Sequence, residues 1–369
     1  MDKQSRQNLI SRTSIISILV NIILAVIKII IGMITGSLAI ISEGVNTATD
    51  AISSVIMLAG TKLSGKHPDE KHPFGYGRIE YLTTLVLSIL ILYTGIEMLK
   101  SSIDGLLHPA AMEITYIAIA IVAISAVIKF FLGIYMLKIA RQTESASLEA
   151  VGEECRNDAF LSIVTILSSV LYLTMHFSID AIAGLLFAIV ILKGGYESLM
   201  DTISEILGRA GKEDLAKNIY REIRHTDGII TAADLMLHNY GPDNYSGSVN
   251  IEIDHKKTIG EIYEVIHELQ LRIMHEYHVT MVFGIYAVDR DHPLMREMRR
   301  YIGSFVKKHE HVTSYHALYL SEASQRIYVD LVVDYDLRDW DALEEEFISY
   351  MKEAYPENPV ELVIETQYV

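Results

Sequence analysis

Six long apolar stretches occupy the first 208 residues of this 369-residue chain. They cover residues 10–33, 37–61, 81–103, 112–138, 148–175 and 179–206. A helix needs about 20 apolar residues to cross about 30 Å of hydrocarbon, so the pattern predicts six membrane-spanning helices. The first stretch is longer than the apolar region of a signal peptide and has no small-residue cleavage site. We therefore expect it to remain as a spanning helix.

Lysine and arginine lie on one side of these predicted spans. They precede the first span and fill the loops after the second and fourth, as Lys3, Arg6, Arg12, Lys62, Lys66, Lys71, Arg78, Lys138 and Arg141. Short loops rich in these residues stay on the cytoplasmic side of a membrane. The sequence therefore predicts a multi-pass plasma membrane protein with both termini in the cytoplasm.

The charged and sulfur-containing residues exclude several classes of protein. The formal net charge is −16, and the acidic surplus is largest in residues 209–369, with 17 basic and 29 acidic residues. Nucleic acid is therefore not an expected partner, because phosphate binding requires clustered basic residues. The single cysteine, Cys155, forms neither an internal disulfide nor a multi-thiolate metal site. Because no nucleophile–histidine or phosphate-binding glycine pattern is found, we expect no enzyme and no cofactor.

After residue 208 the continuous apolar runs give way to alternating residues, which predict soluble structure. Residues 209–290 have the order α-β-β-α-β, and residues 291–369 repeat it. The predicted helices are 213–226, 258–277, 293–309 and 339–354, and the predicted strands are 229–237, 249–254, 279–288, 314–320, 327–334 and 360–368. The predicted fold class is a membrane all-α six-helix bundle, residues 1–208, followed by a duplicated α+β domain.

Polar residues that are costly inside a membrane lie in the second and fifth spans. Asn46 and Asp50 are four residues apart on one helical face, and Glu154 and Asp158 have the same spacing. A charge at the centre of a spanning helix costs about 2.5–3.5 kcal/mol and usually marks an ion or proton pathway. Facing each other, these four residues would form an oxygen site that a divalent cation neutralises and for which protons compete.

Three motifs resemble those of the cation diffusion facilitator family. They are G-S-L-A-I-I-S-E-G-V-N-T-A-T-D at 36–50, H-P-F-G-Y-G-R-I-E-Y at 72–81 and N-D-A-F-L-S at 157–162. The resemblance covers residues 10 to about 290. It implies a secondary transporter, acting as a homodimer with cytoplasmic ferredoxin-like domains, that exports a divalent metal in exchange for protons.

The resemblance also implies a transport site, because the x-x-x-D patterns of the family fall on Asn46, Asp50, Glu154 and Asp158. Zinc-selective branches have a histidine in this set, whereas an all-oxygen set favours harder ions such as Mn²⁺. Asparagine opposite acidic residues is similar to the manganese branch, so Mn²⁺ is the favoured substrate. Glutamate at position 154 departs from the commonest manganese pattern and leaves Mg²⁺, Fe²⁺, Co²⁺ and Zn²⁺ open.

Other polar residues are secondary candidates. Glu43 and Cys155 lie one turn from residues of the main set. Glu43 is either a metal ligand or a residue of a water-filled vestibule. Cys155 is either a metal ligand or a small packing residue. Lys28 and Lys129, in the first and fourth spans, either pair with the acids or extend their charged ends to the membrane surface. A structural role or one that balances the charge of the acids is favoured.

Two metal sites found in other family members are incomplete here. Asp69 and His72 fall on two of three ligand positions of a loop site, but Tyr76 holds the third. They are either metal ligands or solvated loop residues. The positions near the cytoplasmic histidine ligands of the family hold Ala233, Asn250 and Tyr263. That cytoplasmic site is therefore expected to be absent.

Two other classes of protein are compatible with acidic residues in a membrane. A channel needs weak binding at several positions along a pore, whereas these acids cluster in two helices. A membrane-anchored metal sensor would place its ligands in the soluble units and would not need Asp50.

Overall fold

The computed structural model describes residues 3–35, 38–108, 116–175, 180–209, 213–242 and 244–366. The chain divides into two compact units, Met1–Arg209 with Tyr240–Asn244 and Ala210–Asn239 with Tyr245–Val369. Some of the predictions fall outside the described residues. These are the turn at Gly36, the start of the fourth span at 112–115, the start of the sixth span at 179, and the strand end at 367–368.

Six long helices follow one another in the described part of the first unit. They are α1 (Lys3–Thr35), α2 (Leu38–Ser64), α3 (Ile79–Leu107), α4 (Tyr116–Thr143), α5 (Ala146–Met175) and α6 (Asp180–Leu207). Helices α1, α3, α4 and α6 contain segments long and apolar enough to cross a membrane. Helices α2 and α5 are long enough at 27 and 30 residues, but they carry the polar residues of the predicted site. Their membrane crossing stays a prediction.

Polar side chains of α1 point inward and its apolar side chains point outward. Ser17 and Asn21 are fully buried, and the Ser17 hydroxyl lies 2.8 Å from the Ser54 hydroxyl of α2. On the outer face of α1, Leu19 and Ile23 are more than half exposed. This arrangement suits lipid, because hydrocarbon covers exposed apolar side chains while polar groups need partners inside the bundle.

Small residues allow the helices to approach closely in pairs. Helix α1 packs mainly on α2, α3 on α6, and α4 on α5. In the last pair, an added Cβ at Gly133 of α4 would lie 3.0 Å from the backbone nitrogen of Arg156 and 3.1 Å from the carbonyl oxygen of Gly152. The absence of a side chain at Gly133 therefore sets the distance between α4 and the helix that carries Asp158.

The variant Gly133→Val is expected to lower the free energy of unfolding by about 1–3 kcal/mol, the usual cost of overpacking. The added atoms would contact the backbone of α5, which cannot move aside by changing rotamer as a side chain can. Gly194→Val on α6 is the matched control, because nothing lies within 4 Å of an added Cβ there. Equal thermal unfolding midpoints of the two variants in the same detergent would contradict the close approach of α4 and α5.

A buried ion pair joins three helix ends in the first unit. Arg6 on α1 donates hydrogen bonds to both carboxylate oxygens of Glu80 on α3, at 2.8 and 2.9 Å. Its Nε donates to the carbonyl oxygen of Thr143, the last residue of α4, at 2.6 Å. Bidentate pairs of this kind are strong and geometrically specific. The contact fixes the first turns of α1, which extend before the predicted start at residue 10.

The second unit contains the predicted α-β-β-α-β order twice. The first half comprises α7 (Glu213–Arg224), β1 (Thr231–Asn239), β2 (Tyr245–Asp254), α8 (Ile259–Tyr277) and β3 (Val279–Val288). The second half comprises α9 (Pro293–Lys308), β4 (Val312–Leu320), β5 (Ile327–Val333), α10 (Trp340–Ala354) and β6 (Val360–Thr366).

Each half forms a three-stranded mixed sheet in the described residues. The strand orders are β1-β2-β3 and β4-β5-β6, and in each sheet the first pair is antiparallel and the second parallel. Alternate residues such as Val249 and Ile251 of β2, or Val329 and Leu331 of β5, are buried under the helices of their own half. Each half therefore has its own hydrophobic core.

Candidate functional site

Buried and exposed residues alternate along α2, so that one polar face of the helix lies inside the bundle. Thr47, Asp50 and Ser54 are buried at spacings of three and four residues, whereas Ile52 and Val55 are about half exposed. This is the pattern of a helix with one face toward protein and the other toward lipid. The sequence of α2 thus places the Asp50 carboxylate inside the first unit.

The side chains of Asp50 on α2, Lys129 on α4 and Asp158 on α5 meet in that interior. Lys129 Nζ donates hydrogen bonds to Asp50 Oδ2 and to Asp158 Oδ2, both at 2.6 Å. Lys129 and Asp50 are only 3% and 8% exposed. A buried charge must be paired, because removing an ion from water costs several kcal/mol. Two helices therefore bring carboxylate oxygens to one position that a cationic side chain of the chain itself occupies.

Glu154 lies beside this ion-paired group, one turn before Asp158 on α5. Its carboxylate interacts electrostatically with Asp50 and Asp158 and lies near the Ser53 hydroxyl of α2. Asn46, one turn before Asp50, is exposed. The structure thus brings together three of the four residues predicted for the main site and leaves the Asn46 side chain exposed.

A cavity of about 650 Å³ lies between α3, α5 and α6 and reaches this group of residues. Glu154 and Asp158 line one part of it, and Asp201, Glu205 and Arg209 near the end of α6 line another. Its acidic lining residues are Glu149, Glu153, Glu154, Asp158, Glu197, Asp201 and Glu205, and its basic ones are Arg156, Lys193 and Arg209. The surplus of carboxylates attracts cations into the cavity.

The secondary candidates of the membrane region have partners of their own. Glu43 accepts a hydrogen bond from Lys28 at 2.9 Å, and Lys28 also donates to the Thr47 hydroxyl at 3.1 Å. Cys155 is 2% exposed and belongs to a hydrophobic cluster with residues such as Met136. The contacts of Lys28 and Lys129 confirm the prediction that these lysines balance the charge of acids in α2 and α5.

The loop between α2 and α3 brings Asp69 and His72 together in an exposed position. Asp69 accepts a hydrogen bond from the Tyr76 hydroxyl at 2.6 Å and lies 3.3 Å from His72 Nδ1. Lys66 donates to Asp69 at 3.2 Å. The hydrogen bond from Tyr76 is the main reason why the pKa of the Asp69 carboxyl is well below its usual range. These contacts satisfy the carboxylate with neighbours from the same loop.

Sequence spacing alone missed the position of Lys129. The residue lies about thirty positions before Asp158 and belongs to a different helix, so no periodicity relates the two. The available signal was a lysine in the middle of a strongly apolar stretch, which needs a buried partner. The second and fifth spans hold acids at a comparable depth in the sequence pattern.

Comparison with known proteins agrees with these observations. The family model of the cation efflux transmembrane domain matches residues 14–207, more than half of the chain. An uncharacterized transporter of Methanocaldococcus jannaschii is 28% identical over 256 residues, which cover 69% of this chain and 90% of that protein.

Two relatives from Bacillus subtilis have names that state their substrates. The manganese efflux system protein MneS is 25% identical over 289 residues, covering 78% of this chain and 95% of that protein. A cadmium, cobalt and zinc/H⁺-K⁺ antiporter is 22% identical over 273 residues, covering 73% and 88%. The prediction that the chain is not an enzyme is confirmed, because the matched family consists of transporters. The chain belongs to the cation diffusion facilitator family of divalent cation efflux transporters.

Proposed function

We propose that the protein exports Mn²⁺ from the cytoplasm across the plasma membrane in exchange for protons. Asp50, Glu154 and Asp158 hold the metal, and Asn46 completes the oxygen set in the loaded state. The observation that carries this proposal is the position of Lys129, whose ammonium lies between Asp50 and Asp158 at 2.6 Å from each. Carboxylates on two helices thus already share one cation.

Lys129 gives the proposed site an internal competitor for the metal. A divalent ion that binds both aspartates through Oδ2 must take the place of the ammonium group, since Lys129 donates hydrogen bonds to those oxygens. When the metal leaves, Lys129 returns and compensates the two negative charges. Protons compete for the remaining carboxylate oxygens, because a ligand must be deprotonated to bind metal.

The acidic cavity supplies a path for the metal in this mechanism. Its lining includes the first turns of α5 and the last turns of α6. With the predicted orientation, both ends lie on the cytoplasmic side, so the cavity connects the cytoplasm to Glu154 and Asp158. The carboxylates along it raise the local concentration of cations.

Mn²⁺ is preferred over softer ions because the proposed ligands are all oxygen atoms. The similarity to a protein named for manganese efflux supports this preference, whereas the similarity to a cadmium, cobalt and zinc antiporter keeps other metals as alternatives. An exporter-deficient bacterium carrying this protein should grow in the presence of excess Mn²⁺. Rescue from Zn²⁺ alone, in a panel with Mg²⁺, Fe²⁺ and Co²⁺, would contradict the choice of metal.

The C-terminal unit is proposed to consist of two ferredoxin-like domains, residues 209–290 and 291–369, in the cytoplasm of a homodimer. The repeated α-β-β-α-β order and the mixed sheets support this assignment. Deletion of residues 291–369 tests the role of the second domain. An unchanged dimer with unchanged transport would show that this domain is dispensable.

Flux measurements in proteoliposomes test the proposed exchange. Mn²⁺ uptake and internal pH are followed together with two fluorescent dyes. The expected result is a saturable Mn²⁺ flux that is accompanied by proton movement in the opposite direction. The flux should be faster when a proton gradient drives protons in that opposite direction. A flux that does not saturate would indicate a channel, and a flux indifferent to the gradient would exclude proton exchange.

A further inference from the structure

Six polar side chains, one from each strand of the C-terminal unit, come together between its two sheets. They are Asp234, Asn250, Tyr286, His316, Asp330 and Glu365. The first three belong to the first half and the last three to the second. Such a cluster is unusual in the interior of an α+β unit, because buried polar groups are costly unless they are paired.

His316 is the centre of this cluster. Its Nε2 atom lies 3.0 Å from Asp234 Oδ2, 3.0 Å from Glu365 Oε1 and 3.7 Å from Asp330 Oδ2. His316 is only 6% exposed. Yet neither His316 Nε2 nor Glu365 Oε1 has a hydrogen-bond partner of acceptable geometry among the described residues. Two atoms of the cluster, His316 Nε2 and Glu365 Oε1, are thus buried 3.0 Å apart without a hydrogen bond.

Bulges in two strands aim these side chains. The register of β1 shifts between Ala233 and Met236, and that of β4 shifts between His316 and Tyr319. Asp234 and Ala317, inside these bulges, have left-handed backbone conformations with φ of 57° and 55°. Strained conformations of this kind tend to occur at functional sites, where a bulge redirects a side chain.

Neighbouring side chains hold the carboxylates in place. Asn250 donates a hydrogen bond to Asp234 Oδ2 at 2.7 Å and to the Tyr286 hydroxyl at 3.1 Å. The Tyr286 hydroxyl donates in turn to Asp330 Oδ2 at 3.3 Å. Outer hydrogen bonds that orient metal-binding carboxylates are a regular feature of metal sites.

The charge of the cluster is unbalanced. Asp234, Asp330 and Glu365 surround one histidine, and no lysine or arginine in the described part of the chain forms an ion pair with them. The carboxylates therefore lack positive charge, which a divalent ion would supply.

We infer that Asp234, His316 and Glu365 bind one divalent transition-metal ion between the two halves of the C-terminal unit. One donor atom from each of these residues can be chosen so that all three lie within 4.8 Å of one another. Two ligands about 2.1 Å from a metal are separated by roughly 3.0–3.4 Å at octahedral to tetrahedral angles, with Zn²⁺ distances as the guide. The two 3.0 Å separations at His316 Nε2 match that spacing.

The donor set identifies the class of metal. One imidazole nitrogen with carboxylate oxygens suits Zn²⁺, Co²⁺, Fe²⁺ and Mn²⁺ rather than Mg²⁺ or Ca²⁺, which prefer oxygen ligands alone. This set differs from the cytoplasmic site of other family members, whose positions near 233, 250 and 263 are expected not to bind metal here, since its ligands come from both halves. A bound ion would join β1 to β4 and β6.

Metal binding to the full-length protein tests this inference. The double variant Asp50→Asn with Asp158→Asn removes the proposed transport site, and equilibrium dialysis with Co²⁺ then counts the remaining ions. We expect one ion per chain, with Co²⁺ absorption bands typical of nitrogen ligation. Adding His316→Gln or Glu365→Gln to the double variant should weaken Co²⁺ binding by at least about a hundredfold. Loss of a residue that only supports a metal ligand weakens binding by up to about a hundredfold, and these two residues are proposed to bind the ion directly.

His311→Gln is the matched control, because His311 also lies 3.0 Å from a carboxylate, that of Asp334, but is exposed. It should leave Co²⁺ binding unchanged. Glu365→Gln keeps the side-chain shape and decides the matter if His316→Gln does not fold. No bound ion in the double variant, or equal affinity in the 316, 365 and 311 variants, would overturn the inference. Either result leaves the transport proposal untouched, since that is measured by flux.

Discussion

Asp158→Asn is expected to weaken Mn²⁺ binding by roughly a hundredfold, about 2.8 kcal/mol of binding free energy, and thereby to reduce Mn²⁺ flux in proteoliposomes at Mn²⁺ concentrations below saturation. The substitution removes one of the two carboxylates that bind the Lys129 ammonium group. In the proposed mechanism the same two carboxylates bind the metal. An amide oxygen is neutral, so it binds a divalent ion more weakly and cannot exchange it for a proton. The effect should appear as loss of both metal flux and coupled proton movement.

The matched control is Asp104→Asn on α3, which makes the same chemical change at a side chain that is 79% exposed and, among the described residues, is paired with His108. It should transport Mn²⁺ at the native rate. Both variants are compared at equal amounts of reconstituted protein. Native flux in Asp158→Asn would contradict the assignment of this residue to the transport site.

Lys129→Met is expected to lower the free energy of unfolding of the metal-free protein by about 3–5 kcal/mol, the cost of leaving buried charges without a partner. Asp50 and Asp158 would then have no ammonium between them. Because Mn²⁺ can supply the missing charge, adding it should restore much of the stability. The variant should therefore show a larger Mn²⁺-induced rise in the unfolding midpoint than the native protein.

Lys193→Met on α6 is the control for this substitution. Lys193 lies 3.7 Å from Glu197, but its side chain is 76% exposed, and surface pairs contribute about 0–1 kcal/mol. Its unfolding midpoint should be close to that of the native protein with or without Mn²⁺. A metal-free Lys129→Met protein as stable as Lys193→Met would contradict the proposed role of Lys129.

Local patterns predicted the elements of the C-terminal unit but not all of their limits. Helix α9 begins at Pro293 as predicted, because proline suits the first turn of a helix. Strand β2 begins at Tyr245, four residues before the predicted start at Val249. The first four residues of β2 include Gly247, and the alternation of apolar and polar residues does not show that they belong to the strand. They join the strand because β3 pairs with β2 along its whole length.

Helix periodicity placed Asp50 and Asp158 correctly on inward faces but could not show what lies opposite them. The pairing of Lys129 with both is a contact between three helices. The exposure of Asn46 also depends on how α2 packs rather than on its own sequence. Spacing within one element predicts a shared face, whereas the partners of that face depend on tertiary packing.

No residue spacing in the sequence predicted the cluster around His316. Asp234, His316 and Glu365 lie on strands far apart in the chain, and two of them are aimed by bulges. The 14 histidines of the sequence offered no spacing that distinguishes this one. Polar residues inside predicted strands, His316 in β4 and Asp330 in the apolar stretch of β5, were the available indications of buried polar groups.

Crystals grown with Mn²⁺ and measured at its absorption edge test most directly whether carboxylates of α2 and α5 bind one shared ion. The expected result is an anomalous peak within about 2.0–2.3 Å of oxygens of Asp50 and Asp158, typical of oxygen ligation of such ions, with the Lys129 ammonium moved away. A loaded, transport-competent protein with no peak between these helices, and Lys129 still bonded to both aspartates, would contradict the proposed site.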